Sequence, residues 1–303
     1  MRHHNYEFLF KMNIQRLKSV LLLFPAFIRR FIYRYHPGYR AKEKLAASIR
    51  QKDVITVAFL VMELACWKCD SLFRLMQQHS RFFPLIWIMR DEQIKNENEW
   101  ARNLKEMQNF FALRGYQVAE LLTLEEMRAQ YAPDIVFLQK PFARVAGSRV
   151  RMMNRELTCY VPYCFQNGKK HDFIQGQENM IWRYFYTTPG ILRICKQVML
   201  NAAANVVITG SPTADNFLKE EFATGGITWK KSQPGMKKII WAPHWSISPG
   251  ISWFQVSTFL AVADGMLQLA ERYGDKVQWA FKPHPLLRDT LYQHPEWGIE
   301  RTD

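Results

Sequence analysis

Acidic residues are scarce in this chain. Of 303 residues, 27 are Asp or Glu against 41 Lys or Arg, a formal charge of +14. Cysteine is sparser still. Five cysteines, an odd number in a chain this long, do not make a disulfide framework and point to a reducing compartment. Long hydrophobic runs are missing too. The run from Val20 to Ile28 has nine residues, interrupted by Pro25, whereas a membrane span needs about 20. It is followed directly by Arg29 and Arg30, with no small-x-small cleavage site, so it does not read as a signal peptide. There is no Walker A loop, G-x-G-x-x-G turn, HExxH or G-x-S-x-G, which argues against nucleotide hydrolysis, dehydrogenase chemistry and serine hydrolysis. No cofactor is expected. No repeat of 20–50 residues and no low-complexity tract appears.

The positive charge is concentrated at one end. Residues 1–50 hold eleven Lys/Arg and two Glu. A basic balance suits nucleic acid, an anionic membrane or an anionic substrate. Here the basic residues alternate with Leu, Phe, Ile and Tyr, and no helix-turn-helix, zinc-finger or RNA-binding motif is present, so nucleic acid is not the expected partner. Arg16 and Lys18 precede the apolar run; Arg29, Arg30 and Arg34 follow it, with Phe31, Tyr33, Tyr35 and Tyr39. Two readings remain open: a segment lying in the cytoplasmic headgroup layer of a membrane, or a helix packed on its own domain.

Beyond the arm, apolar runs and helical patterns alternate. Strands are expected at 54–61, 84–89, 116–119, 134–138 and 206–209, with a strand end at 159–163. Helices are expected at 70–79, 92–114 and 124–131, and a helix-rich stretch up to Asn205. Residues 166–177 read as a loop. Repeated β-α-β order implies a parallel sheet covered on both faces by right-handed crossovers. The glycine-rich stretch 224–237 reads as a linker. After it the alternation restarts, with strands at 238–241 and 277–281 around a helix from 253 to 273. The expected organisation is therefore a basic arm (1–50), an acceptor-side α/β domain (51–223), a linker (224–237) and a partial nucleotide-donor domain (238–303). Two doubly wound parallel-sheet domains, the C-terminal one incomplete, describe a GT-B-like α/β fold.

Candidate chemistry clusters at predicted strand ends, where open α/β sheets bind ligands. His244 follows Trp241-Ala242-Pro243, and His284 sits within Phe281-Lys282-Pro283-His284-Pro285. Flanking prolines restrain the backbone, and imidazoles titrate near neutrality. Lys282 and Ser246 lie beside them as candidate phosphate ligands. The plainer alternative is a loop histidine that caps a strand. Gly210 and Ser211, at a strand-to-helix turn, could present amides to a phosphate, or Ser211 or Thr213 could cap the helix. Lys140, Arg144, Arg149 and Arg151 form a basic stretch suited to a polyanionic acceptor, or to a solvated surface. Asp70 or Ser71 is expected to cap the helix after the first strand. Cys66-x-x-Cys69 has metal spacing, with Cys159 and Cys164 as further ligands on paper; small buried core residues are the expected reading, and no metal is assigned.

Taken in order, Trp67-Lys68-Cys69-Asp70-Ser71-Leu72, the run Asp134 to Phe142, Tyr160-Val161-Pro162-Tyr163, Gly210-Ser211-Pro212, Trp241-Ala242-Pro243-His244 and Lys282-Pro283-His284-Pro285 resemble the CDP-glycerol glycerophosphotransferase family, the teichoic-acid polymerase-like enzymes. The resemblance spans about residues 53–292. It implies a GT-B fold and a peripheral enzyme on the cytoplasmic face of the cell membrane. Such an enzyme transfers glycerol phosphate from CDP-glycerol to a hydroxyl of a lipid-linked polyol-phosphate or glycan acceptor, releasing CMP. By this resemblance His284 and Lys282 stand at the donor phosphates. Two departures are visible. Where the family has His-Gly-Thr-Pro, this chain has Pro162-Tyr163-Cys164-Phe165, with His171 the nearest histidine and so the candidate base. Residues 286–303 hold no Asp-x-Ser-Ser/Thr counterpart, which leads us to expect a truncated product with weak or absent transferase activity. The other readings are a GT-B glycosyltransferase or sugar-nucleotide epimerase-like enzyme, and an inactive membrane-associated binding protein.

Overall fold

The computed structural model describes residues 20–90, 94, 96–139, 154–163, 181–218, 229, 235–247, 255–284 and 286–302. Lys140, Arg144, Arg149, Arg151, Cys164, His171 and nearly all of the expected linker lie outside them. The chain divides into two compact units, Met1–Ala223 and Thr224–Asp303.

The first unit is an α/β fold built on seven parallel strands. In chain order these are β1 (Ile55–Val61), β2 (Phe82–Ile88), β3 (Val118–Glu120), β4 (Ile135–Leu138), β5 (Leu157–Tyr160), β6 (Arg183–Tyr186) and β7 (Val206–Ile208). Their order in the sheet is β3-β2-β1-β4-β5-β6-β7. The chain thus winds one way from β1 to β3, then returns to β4 on the other side of β1. Residues of β1 show why both faces must be covered. Ala58 and Leu60 pack into one core with Leu85, Trp87, Val136 and Leu138. Val57, Phe59 and Val61 pack into the other with Ile86, Phe137, Phe73 and Phe111. A strand buried on both sides is apolar at every position rather than at alternate ones, as Ile-Thr-Val-Ala-Phe-Leu-Val nearly is.

Helices supply the two covers. Two precede the sheet, α1 (Ala26–Tyr35) and α2 (Pro37–Ile49); α3 (Asp70–Gln78), α4 (Glu97–Ala112), α5 (Leu124–Tyr131) and α6 (Pro189–Val198) connect its strands. Local chemistry explains their ends. The Asn96 side chain accepts from the amides of Asn98 (3.0 Å) and Glu99 (3.2 Å), so α4 starts there rather than near Glu92. Thr123 and Glu126 cap each other reciprocally at the start of α5. The expected cap at α3 is corrected. Cys69 is the N-cap residue, without a side-chain bond, and Asp70 occupies the first turn. Its carboxylate accepts from Tyr116 Oη (2.8 Å) and Trp67 Nε1 (3.3 Å) and pairs with Arg74 (3.1 Å). A second correction concerns the stretch before Asn205. It contains β6, whose Arg-Tyr-Phe-Tyr sequence is stabilised by packing of Tyr184 and Tyr186 into the core rather than by an apolar run.

One buried ion pair anchors the sheet. Glu156, directly before β5, is 2% exposed and accepts from Arg128 of α5 through Nε (2.6 Å) and Nη2 (3.0 Å). The carboxylate holds the guanidinium pKa above its ordinary value. Removing one partner of such a pair leaves a buried charge, a cost of about 3–5 kcal/mol, whereas an exposed pair contributes about 1 kcal/mol or less.

The second unit is small. Strands β8 (Lys237–Trp241) and β9 (Val277–Phe281) pair in parallel, and α7 (Phe259–Arg272), α8 (Leu287–Tyr292) and α9 (Gly298–Thr302) accompany them. Helix α7 begins later than Trp253. Ile247, Phe259, Ala263, Leu287 and Leu291 form its core.

Arg128→Met should destabilise the first unit by about 3–5 kcal/mol in urea unfolding. The exposed pair Arg301–Asp264 (2.7 Å) serves as control, and Arg301→Met should cost less than about 1 kcal/mol. Equal effects would show that Glu156 is not anchored by Arg128.

Candidate functional site

The second unit brings two histidines together through strand register. Trp241 pairs with Phe281 at the ends of β8 and β9, and each histidine follows three residues later. The ladder continues past the strands: Lys282 N donates to Trp241 O (2.9 Å) and His284 N to Pro243 O (3.0 Å). The proline carbonyl can accept even though proline cannot donate. The two segments therefore leave in step, and the imidazole centroids of His244 and His284 lie 5.2 Å apart. Trp245 flanks both rings, at 5.6 Å from His244 and 6.2 Å from His284.

Hydrogen bonds assign the ring protons. Nδ1 of His244 accepts from the Ser246 amide at 3.2 Å and lies 2.8 Å from Ser246 Oγ. That oxygen accepts from Val256 N (3.2 Å), which turns its own hydrogen toward the ring. Nδ1 of His284 accepts from Leu286 N at 3.2 Å. With Nδ1 an acceptor in both rings, the neutral tautomer carries its proton on Nε2. Each ring then offers a hydrogen-bond donor at Nε2. Burial adds to this at His244, whose pKa is lowered because desolvation disfavours the charged ring.

Ser246 is fully buried. Its hydroxyl engages His244 and Val256, so its geometry is that of a residue positioning the ring. Lys282 has an exposed side chain on the same segment as His284. The structure thus brings together His244, Ser246 and His284, with Lys282 two residues before His284 on the same segment.

Gly210 and Ser211 belong to the first unit. Gly210 takes a left-handed backbone at φ +84° directly after β7. A short 3-10 helix, Pro212–Leu218, follows in place of the expected α-helix. Ser71 Oγ donates to Asp215 Oδ2 of that turn at 2.5 Å, tying it to the start of α3. The thiols of Cys66, Cys69, Cys159 and Cys195 are buried and form no disulfide with one another. Burial pushes the Cys159 thiol up to about 12 and raises that of Cys69 as well, which leaves both neutral and unreactive. Among the described residues, no group of three or more His, Cys, Asp or Glu is arranged to hold a metal.

Residue-pattern reasoning did not single out Gln139. It ends β4 beside β1, where the sheet order reverses, and is 2% exposed. Its Oε1 accepts from Lys68 N at 2.7 Å, spanning the loops that follow β1 and β4. Its Nε2 has no partner among the described residues. The signal was a glutamine closing an apolar run, at the point where doubly wound sheets bind ligands.

No family model and no curated protein matches the chain. Among solved structures it is similar to the S. aureus MnaA–UDP co-structure, at 12% identity and a TM-score of 0.45, covering 79% of this chain and 65% of that one. It is similar also to the UDP-GlcNAc 2-epimerase of Neisseria meningitidis bound to UDP-GlcNAc, at 13% identity and a TM-score of 0.45, covering 79% and 68%. The chain therefore spans just under two thirds of the first structure and just over two thirds of the second.

Ser246→Ala removes the hydroxyl that donates to His244 Nδ1. Because that bond favours the neutral ring, its loss should raise the His244 pKa, read by NMR titration of the imidazole, while burial still holds it below the ordinary value. The sign for stability follows. A folded pKa below the unfolded 6.5 gives stability that is complete above it and lost as pH falls below it. An unchanged titration in the variant would remove Ser246 from any positioning role.

Proposed function

We propose that the chain is a GT-B-type enzyme acting on a nucleotide-diphosphate-linked donor, and that the second unit holds the donor phosphates. The observation that carries this reading is the pair of imidazoles 5.2 Å apart at neighbouring strand ends, each with Nδ1 accepting from a backbone amide and so a donor at Nε2 in its neutral form, with Lys282 on the His284 segment. Neutral donors and one ammonium suit a diphosphate. They stabilise negative charge that grows on a phosphate oxygen as the bond to the transferred group breaks. Proton removal from an acceptor is a poor task for either ring. Protonating Nε2 further is not available to it, and protonating Nδ1 would cost the bond from the chain. His171 remains the candidate base.

The solved structures named above are described as binding UDP or UDP-GlcNAc, and on that ground we favour a nucleotide-sugar donor for a glycosyltransferase or epimerase-like reaction. Glycerol-phosphate transfer from CDP-glycerol to a lipid-linked acceptor is the second reading, favoured by the ordered motifs ending in Lys282-Pro283-His284-Pro285. In the first, a glycosyl carbon–oxygen bond breaks and a nucleoside diphosphate leaves. In the second, a phosphorus–oxygen bond breaks and CMP leaves. Lys140, Arg144, Arg149 and Arg151 are the proposed acceptor side, and Gly210 and Ser211 a proposed phosphate-binding turn of the first unit.

Calorimetry with UDP, UDP-GlcNAc and CDP-glycerol, followed by assays for released nucleotide, tests the reading. His284→Ala should weaken donor binding about tenfold or more, since hydrogen bonds to charged groups contribute about 1.5–3 kcal/mol. UDP release or isomerised sugar supports the first reading and CMP release the second. Binding unaffected by His284→Ala and by Lys282→Ala would sink both.

A further inference from the structure

Helix α1 is turned opposite to an ordinary surface helix. Arg29 is 6% exposed. Its guanidinium donates to the carbonyls of Met199 (2.6 Å) and Lys196 (2.7 Å), at the C-terminal end of α6. Carbonyls at a helix C-terminal end lack helical partners and carry partial negative charge, so an arginine suits them; Met199 O accepts from Ala202 N (3.0 Å) as well. Burial lowers the pKa of this guanidinium, yet the charge has partners. With its arginine side inward, the helix turns its apolar side out. Leu23 is 83% exposed, Phe27 72% and Phe31 61%, and Tyr35 continues the row at 56%.

Phe27, Phe31 and Tyr35 stand four residues apart and form one stripe. The Phe31 and Tyr35 rings lie 4.5 Å apart. A contiguous exposed stripe of this kind marks an interaction surface. Basic residues continue it: the Arg40 guanidinium lies over the Tyr35 ring at 5.2 Å. Tyr39, Arg40, Glu43 and Lys44 line an open hollow of about 520 Å³ on α2. Glu43 is the sole acid between residues 20 and 50, and it already accepts from Arg183 and Trp182, both at 3.2 Å. The outward charge of this face is positive.

We infer that α1 and the first turns of α2 form a docking surface for an anionic phospholipid bilayer. Phe27, Phe31 and Leu23 enter the acyl boundary, Tyr35 and Tyr39 sit at headgroup level, and Arg34, Arg40 and Lys44 meet lipid phosphates. A second copy of the chain fits less well, because a two-fold pairing of this face opposes positive charge to positive charge. No helix among the described residues is long and apolar enough to cross a membrane, which agrees with a helix that lies on the surface.

Co-sedimentation of the full chain with vesicles decides it. Vesicles of phosphatidylcholine, with and without about one quarter phosphatidylglycerol, serve as probes. The protein should pellet with the anionic vesicles, and less so as salt rises. Phe27→Glu with Phe31→Glu should reduce binding at least about tenfold. Arg40→Glu with Lys44→Glu should abolish the preference for anionic lipid, by about fivefold per charge. Both variants leave Arg29 in place, and matching urea midpoints would show that the fold is kept. The inference is overturned if the unaltered chain ignores anionic vesicles, or if the paired phenylalanine variant binds them as well as the parent. A dimer that the phenylalanine variant dissociates, with vesicle binding unchanged, would assign the face to a second copy instead.

Discussion

A parallel strand buried on both faces is the constraint that shapes the first unit. Strand β1 sends Ala58 and Leu60 to one core and Val57, Phe59 and Val61 to the other. Neither face can meet water, so helices must cover both. The described returns, after β1, β2, β3 and β6, accordingly cross the sheet through helices. All strands consequently end at the same edge, and the loops after β1, β4 and β7 emerge there. Gln139, Lys68 and Gly210 owe their positions to this. The buried Arg128–Glu156 pair belongs to the same scheme, since it ties a crossover helix to the start of β5.

The second unit repeats the logic on a smaller scale. Its chemistry depends on register rather than on burial. Trp241 pairs with Phe281, and one residue of slip would separate the histidines that follow. The continued ladder through Pro243 O and Lys282 N removes that freedom. The hydrogen bonds at Nδ1 then convert two imidazoles of open role into two donors of the same kind. A site made of donors stabilises developing negative charge. Such donors suit developing negative charge better than proton abstraction, which is why we propose phosphate binding rather than base catalysis for the motif pair.

Much of this was legible in the residues. The apolar runs of β1, β2 and β4, and the breaks near 115 and 132, mark elements to within a few positions, because full burial leaves continuous apolar sequence. Strand β6 was not legible. Arg183-Tyr184-Phe185-Tyr186 has little aliphatic character, and tertiary packing of its tyrosines decides its conformation. The histidine pair was legible from two matching Pro-His strand ends. Its tautomers were not, since they depend on the amides of Ser246 and Leu286 and on Val256, whose approach is set by folding. Ser246 is a candidate phosphate ligand by its place in the motif, and what folding adds is that its hydroxyl is buried against His244 and Val256.

The arm shows the division most sharply. Composition alone determined that residues 1–50 are basic, aromatic and too short in apolar run to span a bilayer. Sequence could not decide which side of α1 faces outward, because arginines and phenylalanines each suit either an interior or a surface, depending on partners. Arg29 meets carbonyls at Met199, 170 positions further along the chain. Only the tertiary structure brings the carbonyls at that helix end to it. With both terminal guanidinium nitrogens bonded there the arginine is buried, and the phenylalanines on the other side of the helix are left outside.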